Sequence, residues 1–141
     1  MRILQTIETQ CRCGAIGLKI AGDPVVQLYC HCDDCQAAHG AAYIPAAIFP
    51  RQAVEVLRGD PTPMVVKATQ RMRCVDCGTF LFAELAGVSM RSVSPYLLPE
   101  GAFKPQFHVQ CAHAMLPVVD NLPHYRGFPA AFGGAEEFVA W

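Results

Sequence analysis

Apolar residues in this chain come in short alternating runs, interrupted every few positions by glycine or proline. Ala15-Ile16-Gly17-Leu18-Lys19-Ile20 alternates apolar with small or polar positions, as a half-buried strand does, and Gly22-Asp23-Pro24 then turns the chain. Val25 to Cys30 resumes the strand pattern, and Ala42 to Phe49 runs extended, with Pro45 arguing for an edge or bulged strand. Val54-Glu55-Val56-Leu57 and Met64-Val65-Val66-Lys67-Ala68 flank Gly59-Asp60-Pro61 and read as consecutive strands joined by a turn. Phe80-Leu81-Phe82, Val88 to Val93 and Phe107-His108-Val109 complete the strand list, while Gln36-Ala37-Ala38-His39, stopped by Gly40, predicts a short helical turn. No segment longer than about ten residues keeps a helical period. The pattern therefore predicts a mainly β, largely antiparallel fold, with Pro117 to Pro129 irregular.

Composition narrows the class. The 141 residues are the length of one domain, and no repeat, low-complexity tract or linker divides them, so residues 1–141 are expected to form a single unit. Hydrophobic residues at 52% and charged residues at 16% exclude a disordered or coiled-coil chain. A net charge of -1, with no basic cluster longer than Arg71-Met72-Arg73, argues against a nucleic-acid partner. Met1 to Thr6 carries no secretory apolar stretch and no later run reaches membrane-spanning length, so a cytoplasmic location without a membrane partner is expected. In that reducing compartment eight cysteines are better metal ligands or reactive thiols than disulfide partners.

Seven of the eight lie in three tight clusters, Cys11-Arg12-Cys13-Gly14, Cys30-His31-Cys32-Asp33-Asp34-Cys35 and Cys74-Val75-Asp76-Cys77-Gly78, with Cys111 alone. Cys11, Cys13, Cys74 and Cys77 form two short pairs, each followed by a glycine able to turn a chain around an ion, which is the arrangement of a closed four-thiolate zinc site. Buried core thiols, or a redox-active Cys74/Cys77 dithiol, are the competing readings. Cys30, Cys32 and Cys35 supply only three thiolates, and zinc with three protein ligands keeps a position open for water or substrate. His39, His108, His113 and Cys111 are each of a type that would close that position.

These motifs, read together as Cys11 to Ile16, Cys30 to Gln36 and Arg71 to Thr79, resemble the glutathione-dependent formaldehyde-activating enzyme (GFA) family, which also includes centromere protein V. The resemblance covers nearly the whole chain. It implies a complex β fold of the kind shared with methionine sulfoxide reductase B, a structural zinc on Cys11, Cys13, Cys74 and Cys77, and a catalytic zinc on Cys30, Cys32 and Cys35, two Zn2+ per chain. The activity it implies is a carbon-sulfur lyase of the S-hydroxymethylglutathione synthase kind, joining formaldehyde to glutathione or another small thiol. Departures from the family pattern, at Arg73, at Ser94 to Pro99 and at Cys111 to Leu116, cluster where a substrate pocket is expected rather than on the zinc ligands.

Other positions follow from simpler arguments. In an extended segment His31 points away from its cysteine neighbours, which suits a supporting or packing role. Asp33 and Asp34 are either proton acceptors or solvated capping residues. Arg51, Arg71, Arg73 and Arg91 are candidates to grip a ligand carboxylate. Cys111, on a late strand, faintly resembles the reductase nucleophile, so a sulfoxide reductase using Cys111 stands beside a non-catalytic zinc-binding or redox-sensing module as alternatives. The apolar tail from Phe128 to Trp141 suits a core cover or a homodimer seam.

Overall fold

The computed structural model describes residues 5–141. Among them are strands β1 (Thr6–Gln10), β2 (Gly17–Ala21), β3 (Val26–Cys30), β4 (Ile44–Pro50) and β5 (Val54–Arg58), followed by β6 (Thr62–Val66), β7 (Thr69–Arg73), β8 (Phe80–Glu84), β9 (Met90–Val93) and β10 (Phe107–Val109), with a single α-helix, α1 (Asp33–His39). The fold is mainly β, as the alternation predicts. The chain forms two compact units, Met1–Val26 with Ala47–Phe103, and Gln27–Ala46 with Lys104–Trp141.

In the first unit β1, β2 and β5 form an antiparallel sheet in that order. Leu18 and Ile20 on β2 are buried while Lys19 between them is exposed, so the period of two seen in the sequence is the period of burial. A run of antiparallel ladders links β6 to β7, β7 to β8, β8 to β9, and β9 to residues 47–50 of β4. One core serves these strands: Leu18, Ile20, Phe49, Val54, Leu81, Phe82, Val93 and Leu97, with Cys11 and Cys74 packed among them.

One expectation holds with an addition and one is corrected. The segments around Gly59-Asp60-Pro61 are consecutive strands joined by a turn, as expected, but they do not pair with each other: β5 pairs with β2, and β6 pairs with β7. The turn residues mark a change of sheet, because local turn chemistry says where the chain bends but not which strand each side will meet. Nor does Pro45 place its strand at an edge. Pro45 precedes the ladder with β9, which starts at Ala47, and on the other side the Val25 N–H donates to the Ile48 carbonyl at 2.7 Å. A proline costs a strand nothing where no ladder bond calls on its missing N–H.

In the second unit β10 runs parallel to β3, pairing Phe107 with Leu28, His108 with Tyr29 and Val109 with Cys30, against the antiparallel rule of the other ladders. Helix α1 starts three residues earlier than the sequence pattern suggests, at Asp33, because Cys32 acts as its N-cap: the Cys35 N–H donates to Cys32 Sγ at 3.3 Å. Asp33 and Asp34 in the first turn favour the helix dipole, and Gly40 closes the helix in the left-handed conformation at φ 59°. Residues 117–129 are irregular as expected, joined to the rest by single bridges at His108–His124 and Tyr125–Phe138.

Leu81 is fully buried at the centre of the first core. Leu81→Ala is expected to destabilise the protein by about 2–5 kcal/mol in denaturant titration, through lost transfer energy and the cavity left behind.

Candidate metal centres

Two turns of the same construction bring four cysteines together in the first unit. After β1, the Cys11 N–H donates to the Ile16 carbonyl and the Gly14 N–H to the Cys11 carbonyl; after β7, the Cys74 N–H donates to Thr79 and the Gly78 N–H to Cys74. Each turn needs a positive φ, 84° at Gly14 and 77° at Gly78, which is why glycine follows each pair. The Arg12 N–H donates to Thr79 Oγ1 at 3.0 Å and links the two turns. Cys11 Sγ lies 3.7 Å from Cys13 Sγ, which lies 3.8 Å from Cys74 Sγ, and the sulfurs of Cys11, Cys13, Cys74 and Cys77 are all within 4.8 Å of one another. A tetrahedral zinc with Zn–S bonds of about 2.3 Å sets sulfur pairs about 3.8 Å apart, so this donor set fits the ion.

The electrostatics agree with that fit. Burial opposes ionisation of Cys11, yet the Ile16 N–H, at 3.3 Å from its sulfur, and the neighbouring thiols hold it below the usual thiol range. The Thr79 hydroxyl and N–H bring Cys77 down to about 5, whereas Cys13, despite a backbone bond at Ala15, is pushed up to about 12 by burial and by the other three thiols. Thiolates this close repel, and a cation among them removes the conflict.

The second group lies at the junction of β3 and α1. Cys30 ends the strand, Cys32 caps the helix and Cys35 sits in its first turn, which places three sulfurs within 4.8 Å of one another. Cys35 is buried while Cys30 and Cys32 are partly exposed. The neighbouring Cys32 and Cys35, together with burial, push the Cys30 thiol far above its ordinary range. Among the described residues no fourth side chain joins this group: His108 belongs to a different donor set, and His113 faces Asp33 at 3.7 Å. Gln36 pins the segment by donating from Nε2 to the carbonyls of His31 and His113, both at 2.8 Å.

His31 turns into a buried chain of hydrogen bonds. His31 Nε2 is 2.8 Å from His108 Nδ1, His108 Nε2 is 2.7 Å from Asp120 Oδ2, and His124 Nε2 is 2.9 Å from Asp120 Oδ1. Since a carboxylate only accepts, His108 and His124 carry their protons on Nε2; His108 Nδ1 then accepts from His31, whose own Nδ1 is buried without a partner. Burial and the two neighbouring imidazoles hold His31 down at about 4, so its ring is neutral at physiological pH. Tyr43 and Trp141 pack on His31, and Tyr29 stacks on His108. Sequence reasoning named His31 and His108 but missed Asp120, His124 and the aromatic residues around them. The only signal was the Asp120-to-His124 spacing, inside a segment with no period to set its side chains on one face.

The family model for the glutathione-dependent formaldehyde-activating enzyme matches residues 6–113. The chain belongs to this family. A crystal structure of a Rhodobacter sphaeroides protein, a structural-genomics target, shares the fold with a TM-score of 0.53 at 18% identity, over 67% of this chain and 89% of that one.

Within this GFA-family chain, Arg51, Arg73 and Arg91, three of the four arginines weighed as carboxylate clamps, have partners inside the protein. Arg91 pairs with Glu84 at 2.6 Å, donates to the Val54 carbonyl at 2.7 Å and lies over Phe82; Arg51 also reaches Glu84, at 3.4 Å. Arg73 donates to the Gly78 carbonyl at 3.1 Å, bracing the second cysteine turn, and Arg71 is buried on β7. Cys111 is buried, and burial with the nearby Asp120 charge pushes its thiol up to about 12, the opposite of what a nucleophile needs. At pH 8 such a thiol is ionised at roughly one part in ten thousand, so Cys111 in the folded protein is expected to alkylate about a thousandfold more slowly than a free cysteine, as read by peptide mass spectrometry after iodoacetamide.

Proposed function

We propose that this protein is a zinc-dependent enzyme that makes or breaks a carbon–sulfur bond in a small thiol or its aldehyde adduct, acting at Cys30, Cys32 and Cys35. The observation that carries the reading is the contrast between two sulfur groups in one GFA-family chain: four mutually close cysteines, the number that fills a tetrahedral shell, and three, one short of that number. Two zinc ions per chain follow, one structural on Cys11, Cys13, Cys74 and Cys77, worth on the order of 10 kcal/mol to folding, and one at the three-cysteine group. Zinc in the open site supplies a Lewis acid that favours the thiolate form of an entering thiol.

The chain's own residues prepare that site. The Cys35 N–H holds the Cys32 sulfur, Gln36 fixes the backbone at His31, and the partial exposure of Cys30 and Cys32 gives a substrate access. With formaldehyde the reaction is an addition that converts a thiol, R–SH, to its hydroxymethyl thioether, R–S–CH2–OH: one S–C bond forms, the carbonyl π bond opens, and the thiol proton ends on oxygen. Glutathione is the thiol the family description favours, and a cytoplasmic setting, where small thiols are abundant, suits it. Three mutually close thiols also suit a redox-sensing module, which is the second reading.

Native mass spectrometry of gently purified protein separates them. About two zinc ions per chain are expected, falling to about one in Cys32→Ser, with exchange of 13C-formaldehyde into glutathione adduct accelerated in the wild type only. A single ion that Cys32→Ser leaves in place would sink the enzyme reading and favour the thiol module.

A further inference from the structure

Apart from the cysteines, a third set of metal-type donors converges in the second unit. His108 on β10, Asp120 in the irregular segment and His124, bridged to His108, bring two imidazole nitrogens and a carboxylate within 4.8 Å of one another. The imidazoles are buried, and only the carboxylate is partly exposed. We propose that His108, Asp120 and His124 form a third cation site, which takes a divalent transition metal such as Zn2+ or Fe2+ and leaves positions open for water or an oxygen-bearing ligand.

Four observations carry this. Two histidines and one carboxylate, with no sulfur, are the donors that bind catalytic zinc and non-haem iron. The spacing suits an octahedral ion: metal–ligand bonds of about 2.0–2.2 Å set N···O separations of about 3 Å at octahedral angles and about 3.4 Å at tetrahedral ones, and the observed separations are 2.7 and 2.9 Å. Exchange of two N–H···O bonds for coordinate bonds therefore needs shifts of only a few tenths of an ångström. A ligating histidine is ordinarily held through its other ring nitrogen, and His108 Nδ1 already has His31 Nε2 at 2.8 Å. When His108 binds through Nε2 its proton moves to Nδ1 and donates to His31, whose proton passes to its own Nδ1, and His124, binding through Nε2, carries its proton on Nδ1 instead, so both imidazoles ligate without a net loss of protons. Trp141 packs against both His31 and His124 and keeps the rings in place. Asp120 and His124 lie beyond residue 113, where the family match ends, so this site is a property of the segment that the family description does not reach.

The site is independent of the proposed carbon–sulfur chemistry and is tested separately from it. At zinc saturation, His124→Gln and Asp120→Asn are each expected to bind one ion fewer than the wild type by native mass spectrometry, whereas Cys32→Ser loses its ion from a different shell. X-ray absorption of the saturated wild type is expected to show imidazole scattering beside the sulfur shell at about 2.3 Å. Equal ion counts in the wild type and both histidine-site variants would overturn the proposal. So would a wild-type spectrum without imidazole ligation, and that measurement decides the matter even if a variant fails to fold.

Discussion

Four sulfur atoms that repel one another as thiolates sit within 4.8 Å in the first unit, and much of that unit is arranged to keep them there. The turn after β1 and the turn after β7 repeat the same backbone bonds around a left-handed glycine, and Arg12 to Thr79 ties one to the other. Cys11 and Cys74 are at once ligand-type residues and members of the apolar core, packed beside Leu18, Leu81 and Val93. Even the charged side chains serve this frame: Arg73 reaches the second turn, and Arg91 ties Glu84 to the Val54 carbonyl. A binding free energy on the order of 10 kcal/mol is comparable to the whole stability of a small domain, so an ion held there would organise the unit rather than decorate it.

The three-cysteine group rests on a different device. It needs no long-range closure, because a strand end, a helix N-cap and the first helical turn lie within six residues, and helix geometry alone brings their sulfurs together. Local construction leaves one side free of further donors among the described residues, and it leaves two of the three sulfurs reachable from solvent. A group of four sulfurs and a group of three thus arise from the same residue type through two chain geometries, one spanning some sixty residues and one spanning six.

His31 joins the second of these to the histidine and carboxylate chain. It stands between two of the cysteines in sequence, yet its ring is directed to His108 and enclosed by Tyr43 and Trp141. Each ring of the chain has a hydrogen-bond partner, and the one carboxylate, Asp120, which lies between His108 and His124, is partly exposed, which is how a row of polar rings is tolerated in a buried place.

The sequence by itself determined the β class, most strand positions, the helix stop at Gly40 and the division of seven cysteines into a set of four and a set of three. All of these are encoded in spacings of a few residues, where period, turn chemistry and ligand pairing are read directly. Only the tertiary structure decided that Gly59-Asp60-Pro61 separates two sheets, that β10 runs parallel to β3, that Arg73 and Arg91 brace the first unit, and that Asp120 and His124 meet His108. Those outcomes depend on which distant segments pack together, and neither an alternating pattern nor a residue's chemistry specifies its partner across the fold.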